Sequence, residues 1–400
     1  MQGRFCPVRR FDRTGRHTNQ RRFHVVVSRS QPFIPWARPN LGEAETAAVV
    51  DALQSTWISG GPYVDRLERD LAELLGVEHG VAVSSGTTAL HLALLGLGIG
   101  PGDEVIVPGF TFMAPVNMVL ALGAVPIFAD VQPEGWCLDP QDFVRRITPK
   151  TRAVIPVHIY GNMATMEPIC SMAQDHGIAV IEDTAEAIFS RQSGRYAGSI
   201  GDVGCFSFHA AKTITSGEGG FVVTNDTGLF DKLRQLRDHG TGGGRKYWHD
   251  VVGHNFRLTN LQAALACTQL ARKDEFCRER ERIYQHYAAA LVSLPEARLQ
   301  IFPANVDPVM WAMPVKLDKS FNIDRDRLMQ MMADNGVETR PGFYTPGAMP
   351  LYDCGPLAVA DEISRSVICL PIYPGLEPSA IDRVVETFRA GIRESGSDRM

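Results

Sequence analysis

The sequence predicts an α/β protein, with a mostly parallel central sheet in a large domain and a smaller C-terminal α+β domain. Three observations carry this. Short apolar runs alternate with helical segments from about residue 80 to residue 238. Those runs are apolar throughout, as strands covered on both faces are, whereas half-buried strands alternate apolar and polar residues. After about residue 255 the alternation stops, and LTNLQAALACTQLARKDEFCRERERIYQHYAAAL reads as a long helical stretch over 258–291 with one break. The expected organisation is a disordered extension over 1–32, a large domain over 33–255, and a linking helix with the small domain over 256–400.

In chain order, NLGEAETAAVVDALQS predicts a capped amphipathic helix with Asn40 as N-cap and Glu43 three residues on. WISGGPY is a turn-rich loop at 57–63, and a second helix follows at about 64–75. The strand candidates are GVAVSS (80–85), EVIVP (104–108), VPIFADV (125–131), AVIPVHIYG (153–161), AVIED (179–183), GCFSFHA (204–210) and GGFVVTN (219–225). Helices are expected at about 87–98, 111–122, 139–147, 163–176 and 227–238, and a last one at about 378–394. Strands separated by helices form βαβ units, and ligands of such sheets bind at the carboxyl ends of the strands.

Composition removes several classes. The 400 residues carry 40 Lys and Arg against 45 Asp and Glu, a formal charge of -5, which gives no support to a nucleic-acid surface. The eight cysteines form no CxxC pair, so no zinc ribbon, other metal site or redox dithiol is indicated, and the usage suits a reducing cytosol. No apolar run reaches the roughly 18 residues of a membrane helix. The first 32 residues are rich in arginine with Asp12 as their one acid, and they lack the apolar core of a secretory signal. No GxGxxG follows a strand, and GTGGG at 240–244 lies after a helix, which sets aside a dinucleotide-binding reading.

Four features fall at strand ends or helix starts. In SSGTTAL (84–90), Ser84 and Ser85 end a strand and Gly86-Thr87-Thr88 opens a helix. Such a turn binds phosphate through free N–H groups, or is a plain Ser/Thr cap. In AVIEDTAEA (179–187), Asp183 ends an apolar strand, where it caps a helix or partners a ring nitrogen or cation, and Glu186 faces either the same site or water. In FTFMAP (110–115), Phe110 and Phe112 flank the sheet mouth as core residues or as a surface for a flat ring. In FSFHAAKTITSGEGG (206–220), Ser207 and His209 sit on a strand, and a lone lysine, Lys212, follows among small and apolar residues. Most lysines are solvated, but one held in an apolar pocket has a depressed pKa and offers a neutral amine as nucleophile and base. A phosphate cradle, a ring stacker, a carboxylate for a pyridinium nitrogen and a Schiff-base amine are together the equipment of a pyridoxal phosphate site.

These motifs, with IPWARPNLG, PGDEVIVPGFTF, VHIYGN and GHNFRLTNLQAA, resemble the DegT/StrS-type sugar aminotransferases from roughly residue 33 to the C-terminus. The resemblance implies the type I fold of aspartate aminotransferase and pyridoxal 5'-phosphate as cofactor. It implies that Lys212 forms the Schiff base, Asp183 pairs with the pyridine nitrogen and Phe112 stacks on the ring. Gly86, Thr87 and Ser207 would hold the phosphate, and Glu186 would lie near the phenolic oxygen. Asn255 would reach the phosphate of the neighbouring subunit's cofactor, in a homodimer with shared active sites. Within the family, RKYWHDVVGHNFRLTN (245–260) and RPGFYTPGAMPLY (340–352) resemble the members that aminate GDP-4-keto-6-deoxy-mannose with glutamate. Trp248 and Arg340 are the candidates to touch nucleotide and sugar, and His249 and His254 read equally as structural. UDP-linked, dTDP-linked and non-nucleotide keto-sugars stand as alternatives. Dehydratases of this fold replace the lysine with histidine, and a non-catalytic regulator has no use for a Schiff-base amine; Lys212 disfavours both.

Overall fold

The computed structural model describes residues 32–397 apart from Gly243 and Asp353, so residues 1–31 of the expected disordered extension lie outside the described residues. The chain opens with helices α1 (Glu43–Gln54) and α2 (Pro62–Leu75), then alternates. Strands β1 (His79–Val83), β2 (Glu104–Pro108), β3 (Val125–Ala129), β4 (Thr151–Val154) and β5 (Ala179–Asp183) are separated by α3 (Gly86–Gly96), α4 (Ala114–Ala121), α5 (Pro140–Arg146) and α6 (Met166–Asp175). A short hairpin of β6 (Arg191–Gln192) and β7 (Arg195–Tyr196) leads to β8 (Val203–Ser207), β9 (Gly220–Thr224) and α7 (Thr227–Arg237). Two helices follow end to end, α8 (Asn260–Ala271) and α9 (Lys273–Leu291), which is the expected long helix with its break at Arg272.

The seven-stranded sheet has the order β1-β9-β8-β5-β4-β2-β3. β9 runs against both neighbours, and the pairs β8–β5, β5–β4, β4–β2 and β2–β3 are parallel. Helices cover both faces, as the unbroken apolar runs of the strands require. The sheet is therefore α/β and mainly parallel, consistent with the type I fold.

The later chain builds an antiparallel sheet of β10 (Ala297–Leu299), β12 (Met313–Leu317), β14 (Val367–Leu370) and β13 (Arg340–Pro341) in that spatial order, while β11 (Val306–Asp307) pairs with β6. Helices α10 (Arg325–Asp334), α11 (Ala358–Ser366) and α12 (Pro378–Ser397) accompany it. Its core takes Ile283, Tyr287 and Leu291 from α9, whereas Ala263, Ala266 and Cys267 of α8 pack with α2 and the main sheet. Ile34 belongs to this second core and bridges Val337, so the first described residues lie with the C-terminal sheet.

Two local expectations are corrected. The α1 N-cap is Gly42, not Asn40: Gly42 N–H donates to Glu45 Oε2 at 2.8 Å. Asn40 instead receives Arg272 Nη2 on its side chain at 2.7 Å and Gln269 Nε2 on its carbonyl at 3.0 Å. The same Arg272 and Gln269 bond Glu45 Oε1 at 2.8 and 2.7 Å, and this tertiary anchoring selects the later start. The strand expected over 153–161 ends at Val154. Beyond it the chain stays buried but turns, and Tyr160 takes a left-handed φ of 59°. Among the described residues no helix is long and apolar enough to cross a membrane.

Candidate active site

The carboxyl ends of β5 and β8, the start of α3 and the loop after β2 converge on a cleft of about 770 Å³, which the C-terminal sheet closes through Trp311, Arg340 and Phe343. A second hollow of about 700 Å³, between Leu97, Ile178, Asp202 and Asp226, lies at the opposite, amino ends of the parallel strands. Ligands of open α/β sheets bind at the carboxyl ends, so the chemistry belongs to the first.

The start of α3 is brought to the cleft by two glycines. Ser85 caps the helix, its hydroxyl accepting the Thr88 N–H at 3.0 Å. The N–H groups of Gly86 and Thr87, at the first two helical positions, have no intrahelical acceptor and point outward at the positive end of the helix dipole. A Cβ on Gly86 would stand 2.6 Å from Ser207 Cβ, and one on Gly220 would stand 2.3 Å from the Ser85 carbonyl oxygen. Only glycine at both positions lets the helix start meet the ends of β8 and β9. The result is a turn in which Gly86, Thr87 and Ser207 could hold an anion.

Successive residues at the end of β5 point to opposite faces and have opposite fates. Glu182 is wholly buried on the far side and fully partnered. It accepts from His158 Nε2 at 2.8 Å and from the N–H groups of Gly198, Ile200 and Gly201 at 2.9, 2.6 and 2.6 Å. His158 Nδ1 accepts the Ala164 N–H at 3.1 Å, so Nε2 is the nitrogen that donates to Glu182. Burial opposes the Glu182 charge, but these donors hold its carboxyl below the ordinary range. Asp183 faces the cleft and is 6% exposed. Its Oδ1 accepts the Ala185 N–H at 3.0 Å, and burial raises its pKa against the opposing fields of Lys212 and His158. A buried carboxylate with one backbone donor lacks a cationic partner, and a pyridinium N–H would supply one.

Glu186, one turn later, is also buried. Its Oε2 accepts the Tyr160 N–H at 3.0 Å and its Oε1 lies 3.5 Å from Lys212 Nζ. Burial pushes its pKa up to about 7, against the pull of Lys212. The side chain of Lys212 is 13% exposed, and its Nζ lies 3.8 Å from the centre of the Trp311 ring. Lys212 is therefore held inside the cleft and not on the solvated surface. Phe110 is core at 1% exposure, while Phe112 is 62% exposed at the cleft, open to a flat ligand. Arg340 lines the cleft, paired with Glu338 Oε1 at 2.7 Å and lying 5.7 Å from the Trp36 ring centre.

Thus Lys212, Asp183, Glu186, Gly86, Thr87, Ser207, Phe112 and Arg340 share one cleft. Asn255 and Trp248 do not line it. Asn255 is exposed, in a segment whose Phe256 carbonyl accepts the Ser84 N–H at 2.9 Å, on the outer flank of the α3 start. Trp248 is 53% exposed and donates to Asp250 Oδ1 at 2.9 Å. His249 Nδ1 meets the His239 carbonyl at 2.8 Å, and His254 stacks on Phe256 at 4.5 Å, both in structural contacts. Sequence reasoning missed Trp36, Tyr160, Trp311 and Phe343. The Tyr160 ring stacks on Trp311 and Phe343 at 6.2 and 5.5 Å. Each reads as ordinary core in sequence, although Trp36 in IPWARPNLG, Tyr160 in VHIYGN and Phe343 in RPGFY fall within the motifs.

The donor set fits pyridoxal phosphate: an anion cradle, a buried carboxylate lacking a cation, an enclosed amine and an exposed aromatic face surround one volume. Comparison with known proteins agrees. The chain is 41% identical to the GDP-perosamine synthase of Vibrio cholerae over 351 residues, covering 86% of this chain and 95% of that protein. It is 40% identical over 359 residues to the GDP-perosamine synthase of Caulobacter vibrioides, covering 88% and 97%. Among solved structures, Spr1654 of Streptococcus pneumoniae in its PLP form superposes with a TM-score of 0.85 at 26% identity, covering 91% of this chain and 99% of that one. Residues 39–389 match the DegT/DnrJ/EryC1/StrS aminotransferase family, and the chain belongs to that family of pyridoxal phosphate-dependent sugar aminotransferases.

Proposed function

We propose that this chain makes GDP-perosamine, moving an amino group from glutamate to the keto carbon of GDP-4-keto-6-deoxy-mannose. The observation that carries the substrate is about 41% identity to a GDP-perosamine synthase over nearly its full length. The observation that carries the chemistry is Lys212 enclosed between Glu186 and Trp311 at the cradle's mouth.

When bound, pyridoxal phosphate supplies an electron sink and carries the amino group between donor and acceptor. The protein's part is to bind, orient and move protons. Gly86 and Thr87 N–H groups and the Ser207 hydroxyl would hold the phosphate, and Lys212 would hold the other end covalently. Asp183 pairs with the ring nitrogen and keeps it protonated, which its buried position makes a strong, unscreened contact. Phe112 covers one ring face. Lys212 Nζ, when free, would take the proton from the donor α-carbon and deliver it to the cofactor carbon, and the reverse transfer would serve the acceptor sugar. Glu186 lies beside Nζ, held by the Tyr160 N–H, and can keep or release a proton near neutral pH; the family resemblance would put it near the phenolic oxygen. Arg340 is the one arginine lining the cleft among the described residues and serves the anionic parts of the substrates.

The protein is further proposed to be a cytoplasmic homodimer. Seven free cysteines among the described residues support a reducing compartment. Leu53 and Trp57 are 58% and 64% exposed on and after α1, and Tyr247 and Val252 are 93% and 88% exposed near Asn255. Apolar exposure of this kind marks an association surface. The family resemblance would place Asn255 at the neighbouring subunit's cradle in such a dimer. Sedimentation should give twice the 44.0 kDa chain mass, and a monomer would contradict the dimer.

The decisive functional assay is spectral. The visible cofactor band should disappear with glutamate and return with GDP-4-keto-6-deoxy-mannose. Loss without return would keep the aminotransferase and discard this sugar. Glu186 makes a separate prediction in the cofactor-free protein. Its folded pKa of about 7 exceeds the ordinary 4.5, so the stability it contributes is full below about 4.5 and is lost as pH rises through about 7. Urea unfolding of wild type minus that of Glu186→Gln should therefore fall across this window. A pH-independent difference would contradict the assignment.

A further inference from the structure

Trp311 is fixed on every side. Its Nε1 donates to the carbonyl of Ala211, the residue before Lys212, at 2.7 Å, and its N–H donates to the Tyr160 carbonyl at 3.2 Å. The ring stacks on Tyr160 at an interplanar angle of 12° and meets Trp36 edge-on at 5.4 Å. Behind it, Arg280 of α9 is 3% exposed and donates from Nη1 to the Met310 and Trp311 carbonyls, both at 3.0 Å. Arg280 makes no ion pair with a carboxylate among the described residues, although an unpaired buried cation is costly. Its two bonds clamp the turn that presents the indole.

The result is a fixed π face 3.8 Å from Lys212 Nζ, with the Glu186 carboxylate 3.5 Å away from the same atom. A ring face attracts a cation electrostatically, and more strongly when both are shielded from water. We propose that Trp311 and Glu186 form a dock for the free ammonium of Lys212, with Trp311 as a positioning residue and Arg280 as its support. The inference rests on Lys212 being the cofactor lysine.

A lysine that alternates between covalent attachment and freedom needs a resting place. Four rotatable bonds would otherwise scatter Nζ over many positions. The dock keeps it in one place inside the cleft. Because it stabilises only the unattached ammonium, its loss has a diagnostic sign. Attachment would condense the Nζ ammonium with the cofactor aldehyde and release water, so the compact ammonium that the ring holds would be gone. Removing the π face therefore favours attachment, whereas ordinary structural damage weakens it.

The test titrates cofactor-free wild type, Trp311→Phe and Trp311→Leu with pyridoxal phosphate, read by the visible band. Phe and Leu are close in size, but only Phe keeps a π face. The Leu variant should bind about threefold to tenfold more tightly than wild type, and the Phe variant within about twofold of it. Acetylation of Lys212 by acetic anhydride, mapped by mass spectrometry, should quicken in the Leu variant by a similar factor over the Phe variant. Trp311→Met repeats the measurement with a more adaptable side chain should the Leu variant fold poorly. Equal behaviour of the Phe and non-aromatic variants, or weaker cofactor binding without the ring, would overturn the dock. A wild type that shows no band at all would refute the cofactor reading itself, a distinct result.

Discussion

Three ionisable groups, Lys212, Asp183 and Glu186, are kept out of water at the mouth of one sheet. Desolvation penalises every charge there, so each group needs a partner, and the neighbouring structure is arranged around supplying or withholding one. Glu186 receives Lys212 and a backbone N–H, and its carboxyl still rises to about 7. Asp183 receives one backbone N–H and is left short of a cation. The imbalance is what makes the cleft receptive to a cationic ring and an aldehyde.

The scaffold that maintains this is rigid. Glu182, back to back with Asp183, binds three backbone N–H groups and His158, which fastens the 198–201 turn to the end of β5. Tyr160 joins the two parts of the molecule. Its N–H holds Glu186, its carbonyl holds Trp311, and its ring lies between Trp311 and Phe343. Its left-handed φ of 59° is strained for a bulky residue, and such strain gathers where function fixes geometry. Movement of the C-terminal sheet would thus be felt at both walls around Lys212.

Much of the fold was legible because the strands are short apolar runs ended by turn residues: EVIVP and AVIED are β2 and β5 residue for residue. AVIPVHIYG misled because its later residues are equally apolar and equally buried, yet their hydrogen bonds go to scattered partners, such as His158 N–H to the Asp183 carbonyl. Asn40 and Gly42 each have a glutamate three residues on, and only contacts from α8 and Arg272 distinguish them. In the site, polar residues at or just past strand ends stand out against apolar surroundings, which marked Asp183, Ser207 and Lys212 as candidates, and the fold brings all three to one cleft. Trp36, Trp311 and Phe343 could not, because their function lies in a face presented from far along the chain, and sequence carries no mark of which way a ring is turned.

The central claim is that Lys212 carries the cofactor. Borohydride reduction of protein loaded with pyridoxal phosphate, followed by peptide mass mapping, tests it most directly. The account predicts a phosphopyridoxyl mass on the peptide containing Lys212 and on no other. Labelling elsewhere with Lys212 unmodified would contradict it.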